Sequence, residues 1–437
     1  MRHFSAPPIP TDSTPAVNVY TGGMAQAHRW LLTRDFSLMW WSQVLSQVAE
    51  GISKLALLWF VYAVTGSPLK TTVIGLLQTL PPILFGPFIG VIVDRFPKKT
   101  ILIASDVARG VLIGLIPCLV SVEHFTVGSL YLLTFLYGVA TAVFVPTLSS
   151  AVPFMVARPQ FTAANALLQS TTSLGIIIGP AVSGLGIAFA GSQDVLCLNA
   201  MTYFASAACL LPIRLRVTEA TTADGDGWRP FVRNLLEGIR YAFLTHRTVL
   251  MLIVLASVYT FGSGAFTTLF PVFGRHLLGL GPVEVGYLWS WLGVGLLFSS
   301  IGLIRMSGWD LSQRLSVITL SCALSGLALV GLTWTDDLRL AAVLVGCIGI
   351  GFGAWTPIAW GIIQEVAPAG MVGRVMAVYT ASATATSMLG MSAFGWVAES
   401  FGSVASLMGI GAVMVMLAGG SAGFGKRSGV AVVGKAA

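Results

Sequence analysis

Glu50 and Lys54 are the residues in this chain best placed for unusual chemistry. They stand one helical turn apart inside FSLMWWSQVLSQVAEGISKLALLWFVYAVTGSP, a stretch otherwise free of charge. If that stretch crosses a bilayer, an ionisable group at its centre costs at least about 2.5–3.5 kcal/mol and needs a partner, water or a function. Glu50 falls roughly 21 Å along a helix starting at residue 36, near mid-depth. Two readings stand open: a self-neutralising Glu–Lys pair facing the bundle interior, or a carboxyl that carries protons and parts from Lys54 in one state of a transport cycle. A second cluster is GVIVDRFPKK, Gly90 to Lys99, which sets Asp94, Arg95, Lys98 and Lys99 in a tight turn between two apolar segments, with Asp106 and Arg109 close behind. Bases at such a turn are expected of any membrane face, and Asp94 is not. No nucleophile–base pair, metal cluster or phosphate loop is visible, so neither catalytic residues, metal, cofactor nor enzymatic activity is expected.

The elements that must position these groups are apolar helices. Only 9% of residues are charged against 55% hydrophobic, and mean hydropathy is +0.85, a composition that a soluble core cannot absorb. Twelve apolar stretches suit a hydrocarbon core of about 30 Å: 36–62, 69–93, 100–120, 127–151, 165–190, 195–213, 248–271, 283–304, 315–334, 339–362, 374–397 and 402–424. Their length and the lack of period-2 alternation predict an all-α membrane protein. Nineteen of the 24 bases gather on one side, with Lys70, Arg275 and Arg339 on the other and Lys54 and Arg109 within helices, so both termini are expected in the cytoplasm of a cell with the protein in its plasma or inner membrane. The +7 net charge then follows from topology and calls for no nucleic acid. The five cysteines are scattered without ligand spacing and read as small apolar fillers. Residues 1–23 lack the apolar core of a signal peptide, and Met24 would itself make a plausible start.

The chain also matches itself. A shift of 211 places Gly138 on Gly349, Pro146 on Pro357, Ala166 on Ala377, Gly179 on Gly390 and Gly184 on Gly395, while Gly90 meets Gly302 at 212. Six helices per half is even, so both halves enter the membrane in the same sense. The expected organisation is a disordered cytoplasmic tail (1–35), a six-helix bundle (36–213), a cytoplasmic linker (214–247), a second bundle (248–424) and a tail (425–437). From Trp228 the linker is amphipathic, with Phe231, Leu235, Ile239 and Phe243 opposite Arg229, Arg233, Glu237 and Arg240, as in a helix lying at the interface or in a solvated linker helix.

The Gly90–Lys99 run, with its glycine, Asp-Arg pair, Pro97 and two bases, resembles the loop signature of the major facilitator superfamily. The resemblance implies that Asp94 helps to latch the two halves on the cytoplasmic side in the outward-open state. Gly90, Asp94, Arg95, Lys98, Lys99, Asp106, Arg109 and Arg374 are the residues assigned to that latch. In the second half Asp310 and Arg314 replace a tight turn, so a latch there is degenerate. SLGIIIGPAVSG, with Gly175, Gly179, Pro180 and Gly184, looks like the antiporter-type motif; small residues four apart equally permit close packing. MVARPQFTAANAL (155–167) and QEVAPAGMVGRVMAV (364–378) resemble loops of the transmembrane secretion effector branch, which includes enterobactin-exporter-like and macrolide-efflux-like proteins. That branch commonly carries Gly-Asp where this chain has Ala49 and Glu50.

Candidates for lining a central cavity are Gln43, Gln47, Gln78, Phe144, Phe261, Phe266, Trp289, Trp355, Thr356, Trp360 and Thr384, a mixture of aromatic faces and uncharged polar groups suited to a bulky, partly apolar solute. The leading reading is a monomeric, proton-coupled exporter of a small amphipathic molecule such as a drug, macrolide or siderophore. An importer or lipid-linked carrier on the same scaffold, or a non-transporting membrane receptor, are the alternatives.

Overall fold

Long apolar runs separated by short polar turns fold as helices throughout the computed structural model, which describes residues 34–121, 126–156, 161–214, 237, 239–304, 309–367 and 371–432. We number the α-helices α1 Arg34–Thr65, α2 Pro68–Thr79, α3 Pro81–Arg95, α4 Lys98–Ser121, α5 Val127–Ala151, α6 Phe161–Leu210, α7 Arg247–Leu277, α8 Pro282–Ile304, α9 Leu311–Gly331, α10 Leu338–Val366, α11 Val372–Phe401 and α12 Ser403–Val432. Local chemistry sets the starts. Ser67 accepts from the Lys70 amide ahead of Pro68, and Thr126 with Ser129 forms a capping box before α5. Asp310 with Gln313 does the same before α9. No strand occurs among the described residues.

All twelve apolar stretches map onto helix. The second is shared by α2 and α3, because the Pro81-Pro82 pair supplies no N–H to carry the ladder across. The fifth and sixth are the two legs of α6, which bends at Gly191, φ 88°. A 41-residue apolar rod would run about 60 Å, twice the hydrocarbon thickness, so the left-handed glycine turns it back. Among the described residues nine helices are long and apolar enough to cross a membrane. α2 and α3 fall short singly, and the hydroxyl-rich run ASATATS sits in α11. Large apolar side chains such as Phe189, Leu320, Leu327 and Met416 lie exposed on the outside, where acyl chains are their expected neighbours. The cysteines are free, Cys118 and Cys197 exposed and Cys322 buried. The terminal tail to residue 33, the linker from 215 to 236 and residues 157–160, 305–308 and 368–370 fall outside the described residues. So do the expectations made for Met24, for most of the amphipathic segment, and for part of each loop after α5 and α10. Of that segment Glu237, Ile239, Arg240 and Phe243 are described, Ile239 and Phe243 being exposed, and Tyr241–Thr245 forms a π-turn.

The self-match of the sequence recurs as matched contacts. Gly138 of α5 abuts the Leu77 carbonyl and Pro81, and Gly349 of α10 abuts the Leu292 carbonyl, 211 residues after Pro81. Gly184 of α6 meets Pro282 of α8, and Gly395 of α11 meets Thr72 of α2, again about one repeat apart. The last two contacts lie where the halves join: α6 packs on α8, and α2 on α11, with smaller contacts of α1 and α2 on α7. Within the first half, α1 packs most closely on α6, their backbones touching at Gly51, Gly175 and Gly179. A Cβ on Gly175 would lie 2.7 Å from the Gln47 backbone carbon. Gly175→Val should therefore force α1 from α6 and cost about 1–3 kcal/mol. Thermal unfolding in detergent checks this, with Gly175→Ala expected to be the milder change.

Candidate functional site

The helix ends alternate between two faces. One carries the α1–α2 turn, the α6 bend, the α7–α8 turn and the α11–α12 turn, and is called here the Glu399 face. The other, the basic face, carries Arg95, Lys98, Lys99, Arg247 and Arg374. At the Glu399 face the halves meet. Glu399 of α11 accepts from the Ser67 hydroxyl at 2.7 Å and from the Leu69 amide at 3.2 Å, so its carboxylate sits on the N-terminus of α2, where the helix dipole favours an anion. Beside it Tyr62 packs on His276 with ring centroids 5.6 Å apart, and the Arg275 guanidinium lies 5.5 Å over the Trp59 ring. At the basic face α3 packs on α5, and the contact with α11 belongs to α2, the outer half of the same span. Added Cβ atoms at Gly86, Gly90, Gly302 and Gly361 would meet nothing within 4 Å. The Glu399 face is closed by both halves.

Just inside the closed face is a cavity of about 340 Å³, walled by Gly51, Lys54, Ile176 and Pro180 from the first half and by α7, α8, α10 and α11 from the second. Tyr259, Trp289, Phe352, Leu292 and Leu296 give it aromatic and aliphatic walls, and Thr260, Ser263, Thr267, Thr356 and Ser387 give it hydroxyls. The Lys54 Nζ reaches this space and lies 5.8 Å from the Trp289 ring centroid. Loss of the carboxylate at Glu399 should weaken the closed face by about 1–2 kcal/mol. In Glu399→Gln the population open at that face should rise by a factor of about 5–30, read as the labelling rate of single cysteines placed around Trp59 and Thr72.

Inside the first half lies a buried charge network. Asp106 and Arg109, one turn apart on α4 and both fully buried, form an ion pair. Ser206 of α6 donates to Asp106 at 2.7 Å, and Ser46 of α1 donates to it at 3.3 Å while accepting from Arg109 at 2.9 Å. The guanidinium is held between Phe144 (4.2 Å) and Tyr203 (4.8 Å), and the Tyr203 and Tyr137 hydroxyls are 2.7 Å apart. Glu50 is half-buried, and its charge is felt by Arg109 on one side and by Lys54 on the other. No ion pair joins Glu50 to Lys54 among the described residues.

The latch residues expected from the sequence are therefore not brought together as one group. Asp106 and Arg109 belong to the interior of the first half, because their i,i+3 spacing turns both toward α1, α5 and α6 and away from the α3–α4 turn. In that turn Lys98 donates to the Val93 carbonyl and Lys99 to the Leu211 carbonyl at 2.6 Å, each base satisfying the end of a helix. Gly90 is exposed and Arg95 lies at the end of α3; the Asp94 side chain is outside those described. Arg374 pairs with Glu237, and Arg314 with Glu365 at 2.6 Å, both inside the second half and its linker. Of the antiporter-type motif, Gly175 and Gly179 set the α1–α6 approach, Pro180 lines the cavity and Gly184 meets α8.

Among the expected cavity residues, Trp289 and Thr356 line it. Phe144 instead stacks on Arg109. Phe266 packs on Phe270, Phe273 and Phe352, and Phe261 on Phe394. Trp355 stacks on Tyr259 and donates to the Tyr379 hydroxyl at 3.0 Å. Thr384 bonds its own helix at Thr380, Trp360 is exposed, and Gln47 turns its carbonyl to Gly175. Among the described residues, Gln43 Oε1 and Gln78 Nε2 are buried and have no hydrogen-bond partner. Sequence reasoning missed Tyr259, Thr260, Ser263 and Thr267. Their signal was a polar stripe at i, i+1, i+4 and i+8 on an otherwise apolar helix.

Comparison with known proteins agrees with this architecture. The family model of the Major Facilitator Superfamily matches residues 39–391. Macrolide efflux protein A of Streptococcus pyogenes is 23% identical over 354 residues, covering 80% of this chain and 86% of that protein. The multidrug efflux pump Tap of Mycolicibacterium fortuitum is 26% identical over 385 residues, covering 84% and 90%. A bacterial homolog to the human lysosomal transporter Spinster, solved inward-facing and unoccupied, superposes with a TM-score of 0.70 at 12% identity over 92% of this chain and 97% of that one. With that family model spanning most of its length and its helices paired as described, the chain belongs to the Major Facilitator Superfamily.

Proposed function

We propose that this protein is a proton-coupled secondary transporter that exports a small amphipathic molecule across the cell membrane by alternating access. The observation that carries the reading is the cavity shared by both halves and closed over at the Glu399 face, where the two halves bond to each other. Its largely apolar wall with a few hydroxyls suits a partly apolar solute, and the names of the macrolide and multidrug efflux relatives favour export of a drug-like molecule.

In this reading the chain crosses the bilayer twelve times as two bundles, 36–213 and 248–424, with both termini in the cytoplasm and the protein working as a monomer. The positive-inside rule makes the basic face cytoplasmic, and the state described is then inward-open. In the opposite state the α3–α4 turn would close on the start of α11, with Asp94 as part of the latch. Glu50, placed between Arg109 and Lys54, is the proton carrier. The test is accumulation of a panel of labelled macrolides, dyes and iron chelates in inside-out vesicles under an imposed pH gradient. Uptake abolished by collapsing the gradient is expected. Vesicles that hold inserted protein and accumulate none of the panel would sink the reading.

A further inference from the structure

We propose that the central cavity selects an anionic amphiphile, an aromatic or aliphatic body bearing one carboxylate or sulfonate, and that Lys54 is the residue that reads its charge. This rests on the transporter reading above and adds the sign of the solute's charge.

Among the described residues lining the cavity, Lys54 is the sole charged one. The other polar groups there are Tyr259, Thr260, Ser263, Thr267, Thr356 and Ser387; Tyr259, Thr260 and Thr267 already donate to the Phe352, Ala256 and Gly264 carbonyls, and none of the six is able to neutralise a cation. The nearest acid on the same helix, Glu50, forms no ion pair with Lys54 and does not line the cavity. Its charge acts on Arg109 as well. Lys54 itself is held at the wall by the Trp289 face, 5.8 Å away, an arrangement that leaves its N–H donors available to a ligand. A solute anion entering from the basic face thus meets one ammonium, hydroxyl-bearing side chains and the aromatic side chains of Tyr259, Trp289 and Phe352. A solute cation of the same shape meets that ammonium and, among the described residues lining the cavity, no carboxylate. The volume of about 340 Å³ suits a two-ring body with one charged substituent.

A matched pair of radiolabelled probes isolates charge from shape: 2-naphthoate and 2-naphthyl-trimethylammonium, measured by equilibrium binding to the full-length protein in lipid nanodiscs. The wild type should bind the naphthoate at least about tenfold more tightly than the cation. Lys54→Gln should erase the preference, Lys54→Glu should reverse it, and Lys54→Arg should keep it. A wild type that binds both equally or prefers the cation, or a preference that survives in Lys54→Gln, overturns the proposal. Thermal unfolding of each variant shows whether it is folded. The two readings fail differently. Gradient-driven uptake of the cation in vesicles, without uptake of the anion, would remove this inference and leave the transporter standing. Binding of naphthoate without gradient-driven movement of any probe would do the reverse.

Discussion

Arg109→Met alone is expected to cost the fold about 3–5 kcal/mol, whereas Asp106→Leu with Arg109→Met should recover most of that loss. The reason is the asymmetry of a buried ion pair. Both side chains are fully buried, so removing the guanidinium leaves the Asp106 carboxylate with two serine hydroxyls and no counter-charge in a medium that cannot hydrate it. Removing both charges deletes the desolvation cost as well. Ser206 keeps the Ser42 carbonyl as acceptor at 2.9 Å, and a methionine can fill the slot between Phe144 and Tyr203. The pair joins α4 to α1, α5 and α6 at once, so the loss should register as global destabilisation of the first half. Stepwise SDS unfolding of purified protein, followed by circular dichroism, gives the ranking. Equal stability of the single and double variants would show that the network is not held by charge pairing. A double variant that is stable yet inactive in vesicles would assign the pair a role in the transport cycle.

What the sequence made legible was the scaffold, because lipid imposes a constraint that can be read one residue at a time. Each long apolar run had to be a helix, and each did fold as one. Even the two irregular places had local causes in plain sight: Pro81-Pro82 divides the second span, and Gly191 turns α6 back on itself. The 211-residue offset was legible too, and it reappears as Gly138 against Pro81 and Gly349 against Leu292. The direction in which a helix turns its side chains was harder to read. Asp106 and Arg109 follow the Asp94 turn so closely that chain proximity grouped them with it, yet the face they occupy looks into the first half. In a helix apolar all round, periodicity does not tell lipid from core. Phe144, Phe266 and Trp355 thus read as cavity aromatics and are instead fully buried packing. The α7 residues that line the cavity, Tyr259, Thr260, Ser263 and Thr267, are individually unremarkable and meaningful only as a polar stripe.

The last expectation concerns the charges that stand in series from the bundle interior to the cavity: Asp106, Arg109, Glu50, Lys54. Asp106 is committed to Arg109 by direct contact, and Lys54 faces the solute. Glu50 is the acid between two cations with neither of them as a bonded partner among the described residues, so it can exchange allegiance as the halves rock. An amide at this position keeps the shape and removes the proton site. Glu50→Gln should therefore hold binding of 2-naphthoate within about threefold of wild type and still permit exchange of labelled for unlabelled solute across vesicles, while pH-gradient-driven accumulation falls to background. A purely electrostatic partnership with Lys54 makes a different forecast: Glu50→Gln would then be repaired by adding Lys54→Gln, which removes the orphaned cation. Gradient-driven accumulation restored in the double variant would make Glu50 a counter-ion. Accumulation unchanged in the single variant would take it out of the coupling step altogether.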